Sequence, residues 1–525
     1  MKKGLLALAS ILGLCLSFIA CSKETVETID VGQGFESNEL YAPWDGLTTD
    51  TRFCCHATSE RFYFSFEVED STLTLTEPFK DEMDVMPEDR VEVFFAADSK
   101  MKKPYYGIEI DPMGRVHDYE STYYRKFKYD WNISTLQTHT AITPRGYRVG
   151  GSILLSELKE LGMNLESGFW MGVFQADFYQ KEKVNWYALH APDVDHADFH
   201  KPDVLFPCTI TPAPEHRGIV LYPNDITSLG LEEWEHRIDL SGINLIGLHA
   251  ATFIDPIDSL EAFIKSQIGQ DFLKMCQRKD VDVEYEVHAL QYLLPRNLFE
   301  IHPEYFPEDT NGVRKQDYNI CFTSEEAVEA MRPQLEALLQ WMHPTTHRYF
   351  FWPDDTNAEC HCEACRGYST SEQNLIYENR FLKLLREYDP EATLAHLAYA
   401  GGLAAPQKIR ADEGIFLEFA PISRDYTTGL STEMNDAYAA NLLAFPPYSQ
   451  HILEYWLDES MFSCWKPAEL VPFPSHFEQC AKDISGYRSM GAASITTFAT
   501  WLNGAYVKQY GKTDEIFTSY GKSFE

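Results

Sequence analysis

Two adjacent carboxylates, Asp354 and Asp355, follow the apolar run Phe350-Phe351-Trp352-Pro353. Side-by-side acids suit a reaction in which one carboxyl protonates a departing oxygen while another carries or positions the nucleophile. The two tasks need different proton affinities, which repulsion between neighbouring charges helps provide. The same pair could instead form an Asx-type turn or cap a helix after Pro353. Just downstream, Cys360, Cys362 and Cys365 enclose His361. Three thiols and an imidazole could complete a tetrahedral zinc site, the thiols could pair as disulfides in an oxidising compartment, or they could stay free. Each outcome would hold the loop that carries Asp354 and Asp355. Neither a P-loop, a dinucleotide fingerprint nor a serine-hydrolase elbow occurs in the sequence, so nucleotide and acyl-transfer chemistry lack support.

These residues need a scaffold. After Pro212-Ala213-Pro214, strand-like runs alternate with amphipathic stretches. Seven runs stand out, at 243–249, 281–288, 349–352, 394–399, 415–419, 452–457 and 494–498. An eighth is expected at Ile320-Cys321-Phe322, before an amphipathic helix over 324–341. Eight such units are the size of a (β/α)8 TIM-like barrel, whose function sits at the carboxyl ends of its strands. Those ends offer His249, His288, Trp352, Tyr399, Glu418 with Arg424, Glu454-Tyr455-Trp456, and Trp501 with Asn503 as substrate-contacting candidates. Aromatics there can stack on sugar rings, although any single one could be wall or core. A competing scheme takes Asp355 as acid/base and Glu454 as nucleophile, with carboxyls about 5–5.5 Å apart.

Ahead of the barrel, residues 31–212 read as an antiparallel β-sandwich, with period-two runs such as Arg61 to Val68 and Arg90 to Phe95. The expected divisions are a signal at 1–20, linkers at 21–30 and 213–235, and the barrel at 236–525. Lys2 and Lys3, an apolar run and a small residue before Cys21 describe a secretory signal. Phe18-Ile19-Ala20-Cys21 resembles a bacterial lipobox. That resemblance implies lipidation of Cys21 and a chain anchored in the cell envelope, at the outer-membrane surface or in the periplasm. The chain carries 80 acidic against 44 basic side chains, a net charge of −36, and 14% aromatics. The acidic excess disfavours nucleic acid and electrostatic docking on anionic lipid and leaves neutral or cationic ligands open, of which neutral sugars and oligosaccharides fit the high aromatic content best.

Two family resemblances add to this. Ala42-Pro43-Trp44, the run from Asp89 to Phe94, the Tyr106 to Tyr119 hairpin, Trp186 and Asp198-Phe199-His200-Lys201-Pro202 resemble family 9 carbohydrate-binding modules, which would place Trp131, Trp170 and Trp186 on sugar faces. Further on, the run Phe350 to Asn357 followed by Cys360 to Arg366 resembles the domain-of-unknown-function family 4838, part of which is classed as glycoside hydrolase family 163. His302-Pro303-Glu304-Tyr305-Phe306, Asn319 to Thr323, Ala420 to Tyr426 and Glu454 to Asp458 carry the same resemblance. It implies a retaining endo-β-N-acetylglucosaminidase acting on glycoprotein N-glycans. In such substrate-assisted hydrolysis Asp354 would orient the 2-acetamido group and Asp355 would act as acid/base. No cofactor is required by that scheme, and a structural zinc at the cysteines stays open.

Overall fold

A computed structural model describes residues 27–180, 183–192, 194–250, 256–316, 319–355 and 359–525. Cys21 and the expected signal lie outside the described residues. Among the described residues no helix is long and apolar enough to cross a membrane.

The N-terminal region forms two sheets, of ten and five strands, paired almost wholly antiparallel. Strands Arg61–Glu69, Arg90–Ala96, Tyr105–Ile110 and Phe169–Gln180 follow the period-two runs of the sequence. Phe62, Phe64, Phe66 and Val68 from one sheet meet Val91, Val93, Phe95 and Ile108 from the other, which makes the sandwich core. Alternation predicts that the second face of Arg61–Glu69 is wet, yet most of that strand is buried. The barrel covers it. Tyr63 donates its hydroxyl to the carbonyls of Arg488 and Ser489, each at 3.1 Å. Glu67 accepts from Arg52 and Arg148 at 2.8 Å each and pairs with Arg410 at 3.2 Å. Arg52 and Arg148 donate onward to the carbonyls of Ala411 and Pro406. Burial works against the Glu67 charge, and the three guanidiniums overcome it, holding the carboxyl below its ordinary range. Gly150 allows the close approach: a Cβ there would stand 2.9 Å from Leu443 Cδ2.

The second region is a closed barrel of eight parallel strands. In chain order they are His216–Leu221, Leu245–His249, Asp282–His288, Arg348–Trp352, Thr393–Ala398, Ile415–Phe419, Gln450–Glu454 and Ser494–Phe498. Two expectations need correction. The first strand lies inside the stretch read as a 213–235 linker; Gly218 pairs with Leu245 on one side and with Thr496 on the other, closing the ring. Ile320-Cys321-Phe322 is not a strand but irregular chain between the third and fourth strands. Its buried apolar side chains mimic strand composition without a ladder partner. The helical layer also departs from a full (β/α)8 barrel. The fifth-to-sixth connection carries only the 3-10 turn Ala400–Gly402. The helix expected over 324–341 is divided into Glu325–Glu329 and Arg332–Leu338, with Pro333 in the first turn of the second piece, where its missing N–H costs nothing. Longer helices, Thr370–Leu385 and Phe477–Ser489, agree with the amphipathic pattern.

Candidate active site at the carboxyl end of the barrel

Alternate residues of the fourth strand point into the barrel. Arg348 reaches across it to the Ser494 hydroxyl at 3.0 Å, the Phe350 ring lies 5.4 Å from the His451 ring, and Trp352 Nε1 donates to Glu418 Oε2 at 2.6 Å. At the floor, Arg348 pairs with Glu284 at 2.6 Å. Above it sit Glu286 and Glu418, both 0% exposed. Neither oxygen of Glu286, nor Oε1 of Glu418, has a hydrogen-bond partner among the described residues. Burial pushes both carboxyls well above the ordinary range, and neighbouring acidic charges push the same way. Gly247 leaves room for this group, since a Cβ there would lie 2.2 Å from Glu286 Oε1.

The rim is built from the last residues of the second, third and fourth strands: His249, His288 and Trp352. The Trp352 ring packs 5.5 Å from His249 and 5.2 Å from His288. His249 Nδ1 lies 2.5 Å from the Glu286 carbonyl and His288 Nδ1 lies 2.6 Å from that of Pro353. A carbonyl only accepts, so each Nδ1 donates there and each Nε2 is turned away from these two carbonyls. Burial, then the His288 charge, lowers His249 to about 3 and keeps it neutral.

Asp354 and Asp355 follow directly. Asp354 is half-buried; its Oδ2 accepts the Gln291 N–H at 3.1 Å, and its own N–H goes to Asn319 Oδ1 at 2.8 Å. Burial pushes its carboxyl up to about 6, against the pull of His288, while the Asp355 charge adds little. The rise of Asp354 therefore comes from burial more than from repulsion by its neighbour. Asp355 is exposed, and its Oδ2 faces His288 Nε2 at 3.7 Å. Both acids line a cleft together with Asn319, Asn374 and Tyr399. Burial and the Asp355 charge push the Tyr399 hydroxyl up to about 12. Asn374 Oδ1 is buried in that cleft wall without a partner among the described residues. Sequence reasoning missed Asn374, which lies on the Thr370–Leu385 helix and carries no strand-end signal, and Tyr222, whose ring lies 5.6 Å from His249 and which directly follows the first strand, a stretch that reads as linker.

Other candidates fall elsewhere. Glu454 points out of the barrel, opposite in parity to His451 and Tyr455. Its Oε1 accepts from Arg424 at 2.8 Å and from Tyr487, on the Phe477–Ser489 helix, at 2.6 Å. Burial raises its carboxyl to about 7 against the Arg424 charge. Arg424 also pairs with Asp483 at 2.6 Å, which accepts from Trp456 Nε1 at 3.3 Å. Glu454, Arg424 and Trp456 are thus a buried clasp between strand and helix, which corrects their expected place at the substrate and removes the Asp355–Glu454 pairing. Asn503 caps the Gly504–Tyr510 helix and donates to Asp225. Trp501, half-buried, gives its N–H to the same carboxylate. Tyr455 is a buried wall residue, with its ring 5.3 Å from that of Phe498. Glu418 lies below the rim under Trp352, away from solvent. In the sandwich, Trp131, Trp170 and Trp186 are half-buried; Trp131 packs 4.8 Å from Tyr106 and Trp186 packs 5.4 Å from Phe199.

The structure gathers four cysteines, not three. Cys321 joins Cys360, Cys362 and Cys365, with all four Sγ atoms within 4.8 Å of one another, and no disulfide forms. The fourth member is Cys321, not His361.

The fold and site define a mixed α/β chain: an antiparallel sandwich-like region docked on a closed parallel barrel with an acid pair at its carboxyl mouth. Residues 257–509 match the family described as Domain of unknown function (DUF4838). A search of curated proteins found no match. Among solved structures, a carbohydrate binding module of family 9 from Caldicellulosiruptor kristjanssonii in complex with glucose is 15% identical, covering 35% of this chain and 95% of that one, with a TM-score of 0.24. A catalytic module of family 20 from the pneumococcal exo-beta-D-N-acetylglucosaminidase is 11% identical, covering 59% and 82%, with a TM-score of 0.34. A beta-galactosidase from the psychrophilic Marinomonas ef1 is 12% identical, covering 55% and 54%, with a TM-score of 0.34.

Proposed function

We propose that this chain is a glycoside hydrolase that cleaves a β-linked N-acetylglucosaminide within a glycoprotein N-glycan, with retention of configuration. The observation that carries the reading is the Asp354–Asp355 pair lining one cleft at the carboxyl end of the barrel, beside Tyr399 and the unpartnered Asn374 acceptor. The resemblance to glycoside hydrolase family 163 supplies the substrate class. Asp354, anchored through Gln291 and Asn319, suits the fixed carboxylate that orients a 2-acetamido group so that its carbonyl oxygen attacks the anomeric carbon. Asp355, open to the cleft and facing His288, suits the acid/base. It protonates the departing oxygen, then takes a proton from the water that opens the oxazolinium intermediate. The sandwich would bind neighbouring sugar, and Cys21 would anchor the chain by lipid in the cell envelope.

A second reading, a glycan-binding lipoprotein without catalysis, draws on the Gln291 N–H bond, which gives Asp354 a purely structural use. Incubation with a complex N-glycoprotein, followed by mass spectrometry, separates the two. Release of glycans lacking one core GlcNAc is expected; binding without release by folded protein would leave only the second reading.

A further inference from the structure

We propose that Cys321, Cys360, Cys362 and Cys365 hold one tetrahedral zinc ion, a structural staple that fixes the segment bearing Asp354 and Asp355. The four sulfurs come from two separate stretches of chain, and all are buried, at 5% exposure or less. Cys321 Sγ lies 3.7 Å from Cys360, 3.7 Å from Cys362 and 3.8 Å from Cys365. A tetrahedral ion with thiolates at about 2.3 Å holds its sulfurs about 3.8 Å apart. A disulfide needs about 2.05 Å. These spacings are those of ligands around one centre rather than of bonded pairs.

The surroundings suit thiolates. The Glu308 N–H points at Cys360 Sγ at 3.4 Å, the Arg314 guanidinium reaches the same sulfur at 3.7 Å, and the Thr323 hydroxyl lies 3.1 Å from Cys365 Sγ. Zinc with four thiolates carries two net negative charges, and these donors with one cation offset them. Binding releases the thiol protons to solvent, so affinity rises with pH. Four protein ligands leave no open position, which makes the site structural.

Its location gives it a purpose. Asn319, which holds the backbone N–H of Asp354, lies just before Cys321, and Cys360 lies just after Asp355 in the chain. Cys360 N–H and the Cys365 carbonyl are both tied to Gln373 on the Thr370–Leu385 helix. The ion would therefore join both flanks of the acid pair to one helix. This inference stands apart from the hydrolase reading, because its readouts are metal content and thiol state.

The test uses the full mature chain. Elemental analysis after gel filtration should give one zinc per chain, and cobalt exchanged into the site should show thiolate-to-cobalt charge transfer with tetrahedral d–d bands. Cys321→Ser should lose bound zinc and those bands. If that variant misfolds, native and denaturing mass spectra of the wild-type chain decide: the zinc adduct in the native spectrum and unpaired thiols in the denatured one are expected. A metal-free folded chain, whether its cysteines are paired in disulfides or all alkylated under native conditions, overturns the proposal, as does iron in the site.

Discussion

Replacing Glu286 by Gln tests the electrostatic account of the barrel interior. The carboxyl is wholly buried, neither oxygen has a hydrogen-bond partner among the described residues, and burial with the nearby Glu418 and Glu284 charges pushes its proton affinity well above the ordinary range. In the unfolded chain a glutamate ionises near pH 4.3. Above that pH the folded state keeps a proton that the unfolded state has released, so stability must fall as pH rises, until the folded group itself ionises. The slope contributed by one such group approaches about 1.4 kcal/mol per pH unit. Glutamine keeps the shape and removes the titration. Urea unfolding at pH 5, 6.5 and 8 should show wild type losing stability along the series, and Glu286→Gln losing about 1.4 kcal/mol less per unit while the folded wild-type group stays protonated. The variant should gain relative to wild type as pH rises. Parallel curves for the two proteins would refute the claim that Glu286 is a neutral acid in the folded barrel.

The Asp354 carboxyl, raised to about 6 by burial, must be ionised to orient an acetamido group; kcat/KM should therefore fall as pH drops through about 6, and Asp354→Asn should lower activity and abolish that limb. Glu454→Gln should cost about 1.5–3 kcal/mol by weakening the bonds from Arg424 and Tyr487, read by urea melts, while kcat stays at the wild-type level. Glu67→Ala strands buried guanidiniums of Arg52 and Arg148 at the sandwich–barrel contact and should cost about 3–5 kcal/mol, with calorimetry resolving separate transitions for the two regions.

Much of the scaffold was legible in the sequence, because parallel strands buried on both faces read as apolar runs bounded by turns. Seven barrel strands were placed within a few residues. The first strand was missed, since Gly218-Ile219-Val220-Leu221 is short and follows a proline-rich stretch that reads as linker. Ile320-Cys321-Phe322 reads as a strand because burial alone gives the same composition. Strand-end position identified His249, His288, Trp352 and the acid pair, yet it could not tell inward from outward. Glu454 and Tyr455 are consecutive, and only the register of the seventh strand decides that Tyr455 enters the barrel. Cys321 was invisible as a partner of Cys360 because the long loop between the third and fourth strands brings them together, and loop closure leaves no periodic mark.

In the proposed reaction Asp355 at the barrel mouth is the acid/base of a retaining hydrolysis. A time course on one purified complex N-glycopeptide, wild type against Asp355→Asn, with the first-formed anomer followed by NMR, tests it most directly. Wild type should give a β product first, and the folded variant a rate lower by about a hundredfold or more. Equal rates in the two proteins, or an α anomer formed first, would contradict it.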